Sequence, residues 1–256
     1  MCAGVLWALS RTTIITLTSF AGSLRHRRAS LRPDQLDKEL SFLLLQLINS
    51  LKYLEAQGVE AVPADLDRFL LARVDGDAHY RLILADDPPS AEDVGTGGGG
   101  GRRKLTLCQC ALAAMLLVFD AEHPLETAGR AEREPLSLPP ILPSVSMYTT
   151  MATILQQDGS VALGQVKSML EYMLWGTSDI IFDLKVGREA ESREAALQRW
   201  LDLERATVLN SLIRSQGILN VSLTVYQEYH LLFLVRTCAK MLREASLLFE
   251  SEVSRM

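Results

Sequence analysis

A chain of 256 residues, 48% apolar and 22% charged, is long enough for one large globular domain or for one domain with an appendage. Its net charge of -5 denies it the concentrated basic surface that nucleic acid requires, so no nucleic-acid partner is expected. The basic clusters Arg25-His26-Arg27-Arg28 and Arg102-Arg103-Lys104 are short, lie beside loop-like sequence and read as solvated linker charge.

The start of the chain, Met1 to Leu24, is apolar, but no basic residue precedes the apolar run and Arg11 interrupts it. A charge inside an isolated span is costly, so neither a membrane span nor a secretory signal is expected, and residues 1–33 read as a disordered or poorly defined start. The first strong element is a helix over Asp34–Gln57. Leu40, Leu43, Leu44, Leu47, Ile48, Leu51 and Leu54 share one face, Phe42 and Leu45 widen it, Asp34 is placed to cap it and Gly58 to stop it. Next, Phe69–Val74 and His79–Leu84 flank the turn signal Asp75-Gly76-Asp77, which predicts a β-hairpin. Residues 86–104 form a low-complexity loop containing the unbroken run Gly97–Gly101. No strand precedes that run and no Gly-Lys-Ser/Thr follows it, so it is not a P-loop.

Leu105–Phe119 predicts a buried helix, 122–143 a proline-punctuated connection, and Met147–Gln156 and Val161–Trp175 two further buried helices around an Asp158-Gly159-Ser160 turn. Glu189–Gln216 predicts a helix with Leu197, Trp200, Leu201, Val208, Leu209 and Leu212 on one face, ending at Gly217. Ser222, in the sequon-like Asn220-Val221-Ser222, is placed to cap a last helix running to about Glu250. Leu231, Leu234, Val235, Cys238, Leu242, Ala245 and Phe249 form its stripe. Two long antiparallel helices with such faces need partners, in the domain, in another chain, or both.

Little of the usual chemistry is present. His26, His79, His123 and His230 are dispersed, without metal-ligand spacing, and no nucleophile elbow occurs. Cys2, Cys108, Cys110 and Cys238 form neither a Cys-x-x-Cys pair nor a disulfide framework. They read as buried thiols of a reducing, cytoplasmic compartment, with Cys238 in the last helix's core stripe. No cofactor or metal is expected.

The order of features at 43–71, an apolar helix closed by Gly-Val, a short loop, Phe-Leu-Leu and a hairpin, resembles the protein-kinase segment from the helix before the catalytic loop to the metal-binding motif. On the pattern G-V-x-H-R-D-x-x-x-x-N-h-L-L, Gly58, Val59, Phe69, Leu70 and Leu71 match. Ala61-Val62-Pro63 stands at His-Arg-Asp, and Arg68 at the metal-binding Asn; Asp86 can be laid on the Asp of the magnesium motif, without its Phe or Gly. A kinase needs a carboxylate for the substrate proton and an Asn and Asp for magnesium; Pro63 supplies no acceptor, and Arg68 puts a cation where one should bind. The roughly 30 residues before the first strong helix contain no glycine-rich loop or strand-borne Lys motif, so the ATP-binding lobe is missing from this chain, as a fragment or by loss.

The run Val166–Gly176, with its Leu-x-x-x-Leu-Trp-Gly ending, and the Trp200-Leu201-Asp202 stretch resemble the PEAK/Pragmin family of pseudokinases. The resemblance implies a mainly α fold. A degraded kinase-like C-lobe with a small β-hairpin would span 34–186, and appended long C-terminal helices would form a dimerisation region at 187–256. It further implies a catalytically inactive scaffold in cytoplasmic tyrosine-kinase and cytoskeletal signalling. The scaffold would pair with itself or with related pseudokinases and engage signalling proteins. The expected interface comprises Leu197, Trp200, Leu201, Val208, Leu212, Leu231, Leu234, Val235, Cys238 and Leu242. Two other readings of the same residues stay open: a helical adaptor unrelated to kinases, and a kinase fragment working through displaced carboxylates such as Asp65, Asp67 or Asp86. A hairpin leaning on the 34–57 helix separates the first reading from the unrelated adaptor.

Overall fold

The computed structural model describes residues 12–27, 32–85, 103–119, 124–128, 145–176, 190–219 and 223–253. The fold is mainly helical and divides into two units, Met1–Leu163 and Gly164–Met256; the 186/187 boundary expected from the sequence falls outside the described residues.

In the first unit β1 (Thr13–Thr16) leads into α1 (Leu17–Arg27), and α2 (Pro33–Ala56) follows. Then come β2 (Ala61–Pro63), a 3₁₀ turn at Leu66–Arg68, and β3 (Phe69–Arg73) with β4 (Arg81–Leu84). After β5 (Lys104–Thr106) the helices α3 (Leu107–Val118), α4 (Pro124–Ala128) and α5 (Val145–Gln156) complete it, with the first residues of α6 (Ala162–Trp175).

The axis of this unit is α2, in which every residue from Leu40 to Ile48 is buried. Pro33 opens the helix after Arg32, and Asp34 makes no capping bond; its charge favours the first turn only through the helix dipole. Gly58, at φ 79°, ends it in the left-handed conformation that glycine adopts without Cβ strain. The predicted hairpin is present: β3 and β4 pair antiparallel with Leu71 opposite Leu82, around a turn in which Gly76 has φ 91°. It leans on α2 through Gln46, whose amide donates from Nε2 to Tyr80 O (2.9 Å) and accepts from Leu82 N at Oε1 (2.9 Å). Because β4 is an edge strand, those two backbone groups point away from β3, and one buried side chain does what a further strand would do.

Part of the supposedly undefined start is structured. β1 pairs antiparallel with β3, from Thr13 opposite Arg73 to Thr16 opposite Leu70, and makes the sheet three-stranded in the order β1-β3-β4. Leu17, Phe20, Ala21 and Leu24 of α1 are buried. The expected helix over 105–119 begins later, because residues 104–106 form β5, paired with β2. Thr106 then caps α3 in a reciprocal box with Gln109. Tyr148 of α5 packs 4.7 Å from Phe119 and bonds Ser41 Oγ (2.7 Å) and Asp37 Oδ1 (2.6 Å), so its buried hydroxyl is satisfied.

The second unit holds the rest of α6, then α7 (Ala190–Leu219), α8 (Val225–Arg236) and α9 (Ala239–Val253). Helix α7 runs through Gly217 rather than stopping there. The single last helix expected over 222–250 is two helices, broken at Thr237-Cys238, and Thr224 rather than Ser222 caps the first of them. Residues 220–222 lie outside the described residues. Cys238 is exposed at the break rather than in a core stripe, because the break turns it out of register with Leu234 and Leu242. Trp175 ends α6 against Tyr226, His230 and Phe233; its Nε1 donates to Tyr226 OH at 2.8 Å, and the His230 ring stacks on it at 5.2 Å.

Candidate functional site

The stretch laid on a catalytic loop folds as β2, a short turn, the 3₁₀ turn and β3. It surrounds a cavity of about 190 Å³. Leu54, Val59, Val62, Phe69 and Leu84 make its apolar wall, and Ala61, Pro63, Asp65 and Arg68 complete the lining. Four of the five positions that the resemblance lays on kinase motifs (Ala61, Val62, Pro63 and Arg68) thus meet at one cavity; Asp86 lies outside the described residues. Ligand pockets usually measure about 300–1,000 Å³, so this one is small for a nucleoside triphosphate.

Most polar groups here have a structural task. Arg68 is tied twice to Ala85: its carbonyl accepts from Ala85 N (2.9 Å) and its Nη2 donates to Ala85 O (3.2 Å). Asp65 accepts from Asp67 N at 3.0 Å and caps the 3₁₀ turn. Asp67 accepts from Thr18 Oγ1, on the first turn of α1. Ala64 N donates to Arg103 O at 2.8 Å, and Pro63 stands opposite Lys104 on β5. Cations therefore flank the loop at Arg68, Arg103 and Lys104. Burial pushes the Cys108 and Cys110 thiols up to about 12, so both are protonated at neutral pH and neither is a nucleophile. Among the described residues no three His, Cys, Asp or Glu side chains are grouped to hold a metal, and no helix is long and apolar enough to cross a membrane.

The residues expected at an interface fall into three groups. Leu197, Leu201, Leu212, Leu234 and Leu242 are buried within the single chain, Trp200, Val208 and Leu231 are half-buried, and Cys238 and Val235 are exposed, Val235 by 77%. On α7 a second apolar set, Leu203, Leu209 and Ile213, faces outward, with Leu203 68% and Ile213 67% exposed. The helix is thus apolar on two sides, and Leu209 belongs to the outer one.

Sequence reading missed Arg205 of α7. Its Nε donates to Leu234 O (2.8 Å) and its Nη2 to Thr237 O (2.6 Å), while Asp202 holds Nη1 at 2.9 Å. It also missed Glu171, which meets Arg236 at 3.0 Å and Lys167 at 3.8 Å. Burial outweighs both cations and raises the Glu171 carboxyl above its ordinary range. A charged residue inside an apolar run was the available signal for Glu171, whereas Arg205 stands among the charges of Asp202 and Glu204 and offered none.

No family model matches this chain, and no curated protein matches it. It does match the solved crystal structure of the pseudokinase PEAK1 (Sugen Kinase 269), with a TM-score of 0.63 and 17% identity over 91% of this chain and 64% of that one. The chain thus spans just under two thirds of that structure's length. At this identity the likeness is one of fold: the architecture is kinase-like.

Proposed function

We propose that this protein is a catalytically inactive, pseudokinase-like scaffold that self-associates through its C-terminal helices. The observation that carries the reading is the cleft: Pro63 and Arg68, which the resemblance lays on the proton acceptor and a metal ligand, line one cavity, and Arg68 fastens the loop to Ala85. A phosphoryl-transfer centre works by placing carboxylates and magnesium around a phosphate, and a fixed guanidinium repels that magnesium. The pseudokinase fold of the neighbour supports the reading, as does a helical unit with apolar side chains facing solvent. Val235, Leu203 and Ile213, with half-buried Trp200 and Leu231, are the contact residues open to a second copy or a related pseudokinase. A cytoplasmic setting in tyrosine-kinase and cytoskeletal signalling belongs to the same proposal.

Thermal unfolding with magnesium and ATP tests the first half. No shift is expected, whereas a nucleotide at about 100 times its Kd would add ~2.7 kcal/mol and raise Tm by several degrees. Light scattering tests the second half. A monomer at about tens of micromolar, where weak complexes form, would defeat self-association.

A further inference from the structure

We propose that the Thr237-Cys238 break is a hinge: α8 and α9 can straighten into one helix from Val225 to Val253, and α9 then docks on α7 of a second copy of this chain. The inference rests on the self-association reading and says how the copies join.

The break has no local cause. Sharp interruptions of helices trace to proline, glycine or an inserted group, and neither Thr237 nor Cys238 is a breaker. The apolar period of Leu231, Leu234, Cys238, Leu242 and Ala245 runs through it, which is why the sequence predicts a single helix there. What holds it open is a group from outside. Thr237 is extended at ψ 140°, and Arg205 bonds the carbonyls of Leu234 and Thr237. In a continuous helix those oxygens would accept from the amides of Cys238 and Met241. The bent and straight forms therefore exchange one set of satisfied carbonyls for another, with Arg205, held by Asp202, as the latch.

What α9 buries is portable. Ala239, Leu242 and Ala245 face inward, α9 packs along α7, and Glu194 meets Arg243 across them at 3.5 Å. A two-residue connection cannot fold α9 back once the helix is straight, so its own α7 is out of reach. The α7 of a second copy offers the same residues, which is the low-barrier route of exchanging identical elements about a short hinge.

The test uses the full chain carrying Arg243→Lys, which lets a carbodiimide join Glu194 to residue 243 by an amide. Equal amounts of ¹⁴N- and ¹⁵N-labelled chain are refolded together, at a concentration where light scattering detects a dimer. Mass spectrometry then reads the joined peptides. Exchange predicts that about half of them are mixed-isotope. Arg205→Met, which removes the latch, should raise the mixed dimer at least about fivefold at sub-saturating concentration, the effect of roughly 1 kcal/mol. Cys238→Pro, placed after an extended residue that tolerates proline, should bring mixed peptides to background. Should Arg205→Met fail to fold, the parent and Cys238→Pro decide alone. A dimer in which every amide between positions 194 and 243 is single-isotope overturns the exchange and leaves self-association standing. A chain that stays monomeric overturns both.

Discussion

Replacing Gln46 by leucine isolates the bond between the hairpin and the central helix. Gln46 is 1% exposed, and its amide satisfies two backbone groups along the edge of the hairpin, Tyr80 O just before β4 and Leu82 N within it. Leucine fits the apolar surroundings, but it leaves both groups buried without those bonds. An unsatisfied buried backbone group costs ~1–3 kcal/mol, so the loss is ~2–6 kcal/mol. The more apolar side chain returns ~1–2 kcal/mol by transfer. The expected net destabilisation centres on ~2.5 kcal/mol within limits of ~0–5 kcal/mol, or ~1 M in the urea midpoint at a slope of ~2 kcal/mol/M. Hydrogen exchange locates the effect: the Leu82 amide should lose protection more than the amides of Leu44 and Leu45. A midpoint moved by less than ~0.3 M, or unchanged protection at Leu82, would refute the idea that one side chain substitutes for a strand.

Two substitutions at neighbouring positions separate folding from assembly. Leu234→Asp charges a side chain that is 1% exposed and should unfold the C-terminal unit at a cost of ~3–5 kcal/mol, read by thermal unfolding. Val235→Asp, at 77% exposure, should change stability by less than ~0.5 kcal/mol while light scattering shows weaker self-association. Glu171→Gln should flatten the pH dependence of stability. Burial raises this carboxyl above its ordinary value of 4.5, so the folded chain holds the proton more firmly, and the group's contribution falls as pH rises from 4.5 through the raised value. Denaturant midpoints of parent and variant between about pH 4 and 8 should converge at the acid end; parallel curves would contradict the burial argument. Pro63→Asp with Arg68→Asn places kinase-like groups on the loop but removes the side-chain tie from Arg68 to Ala85. The expected result is a loss of ~1–3 kcal/mol and no magnesium-dependent ATP binding by calorimetry.

What the sequence revealed follows the range of the forces involved. Helix α2 and the β3–β4 hairpin were legible because apolar period and turn glycines act within a few residues, and Gly58 and Gly76 take the positive φ their positions imply. β1 was not, since four residues make a strand only when β3, more than fifty positions away, supplies the partners. The split of α8 from α9 was invisible for the same reason: Arg205, which bonds the carbonyls at the break, lies 29 residues from Leu234. Gln46 stood in plain view, a lone amide inside an unbroken apolar run, but its meaning depends on an edge strand that the sequence does not orient. The cleft was legible only by resemblance. Pro63 and Arg68 are ordinary in composition, and their meaning comes from the loop pattern on which they were laid.

On the proposed inactive reading, the residues of the cleft are free to serve the fold. A working centre must keep carboxylates close together and unneutralised until metal arrives, which stores repulsion in the folded state. Here the groups that could have carried that strain take part in ordinary structure: Asp65 caps the 3₁₀ turn, Asp67 anchors α1 through Thr18, and Arg68 joins the end of β4 to the loop. Replacing one of these residues would therefore act against its partners in the loop, and on the proposed reading stability and catalysis would pull in opposite directions there.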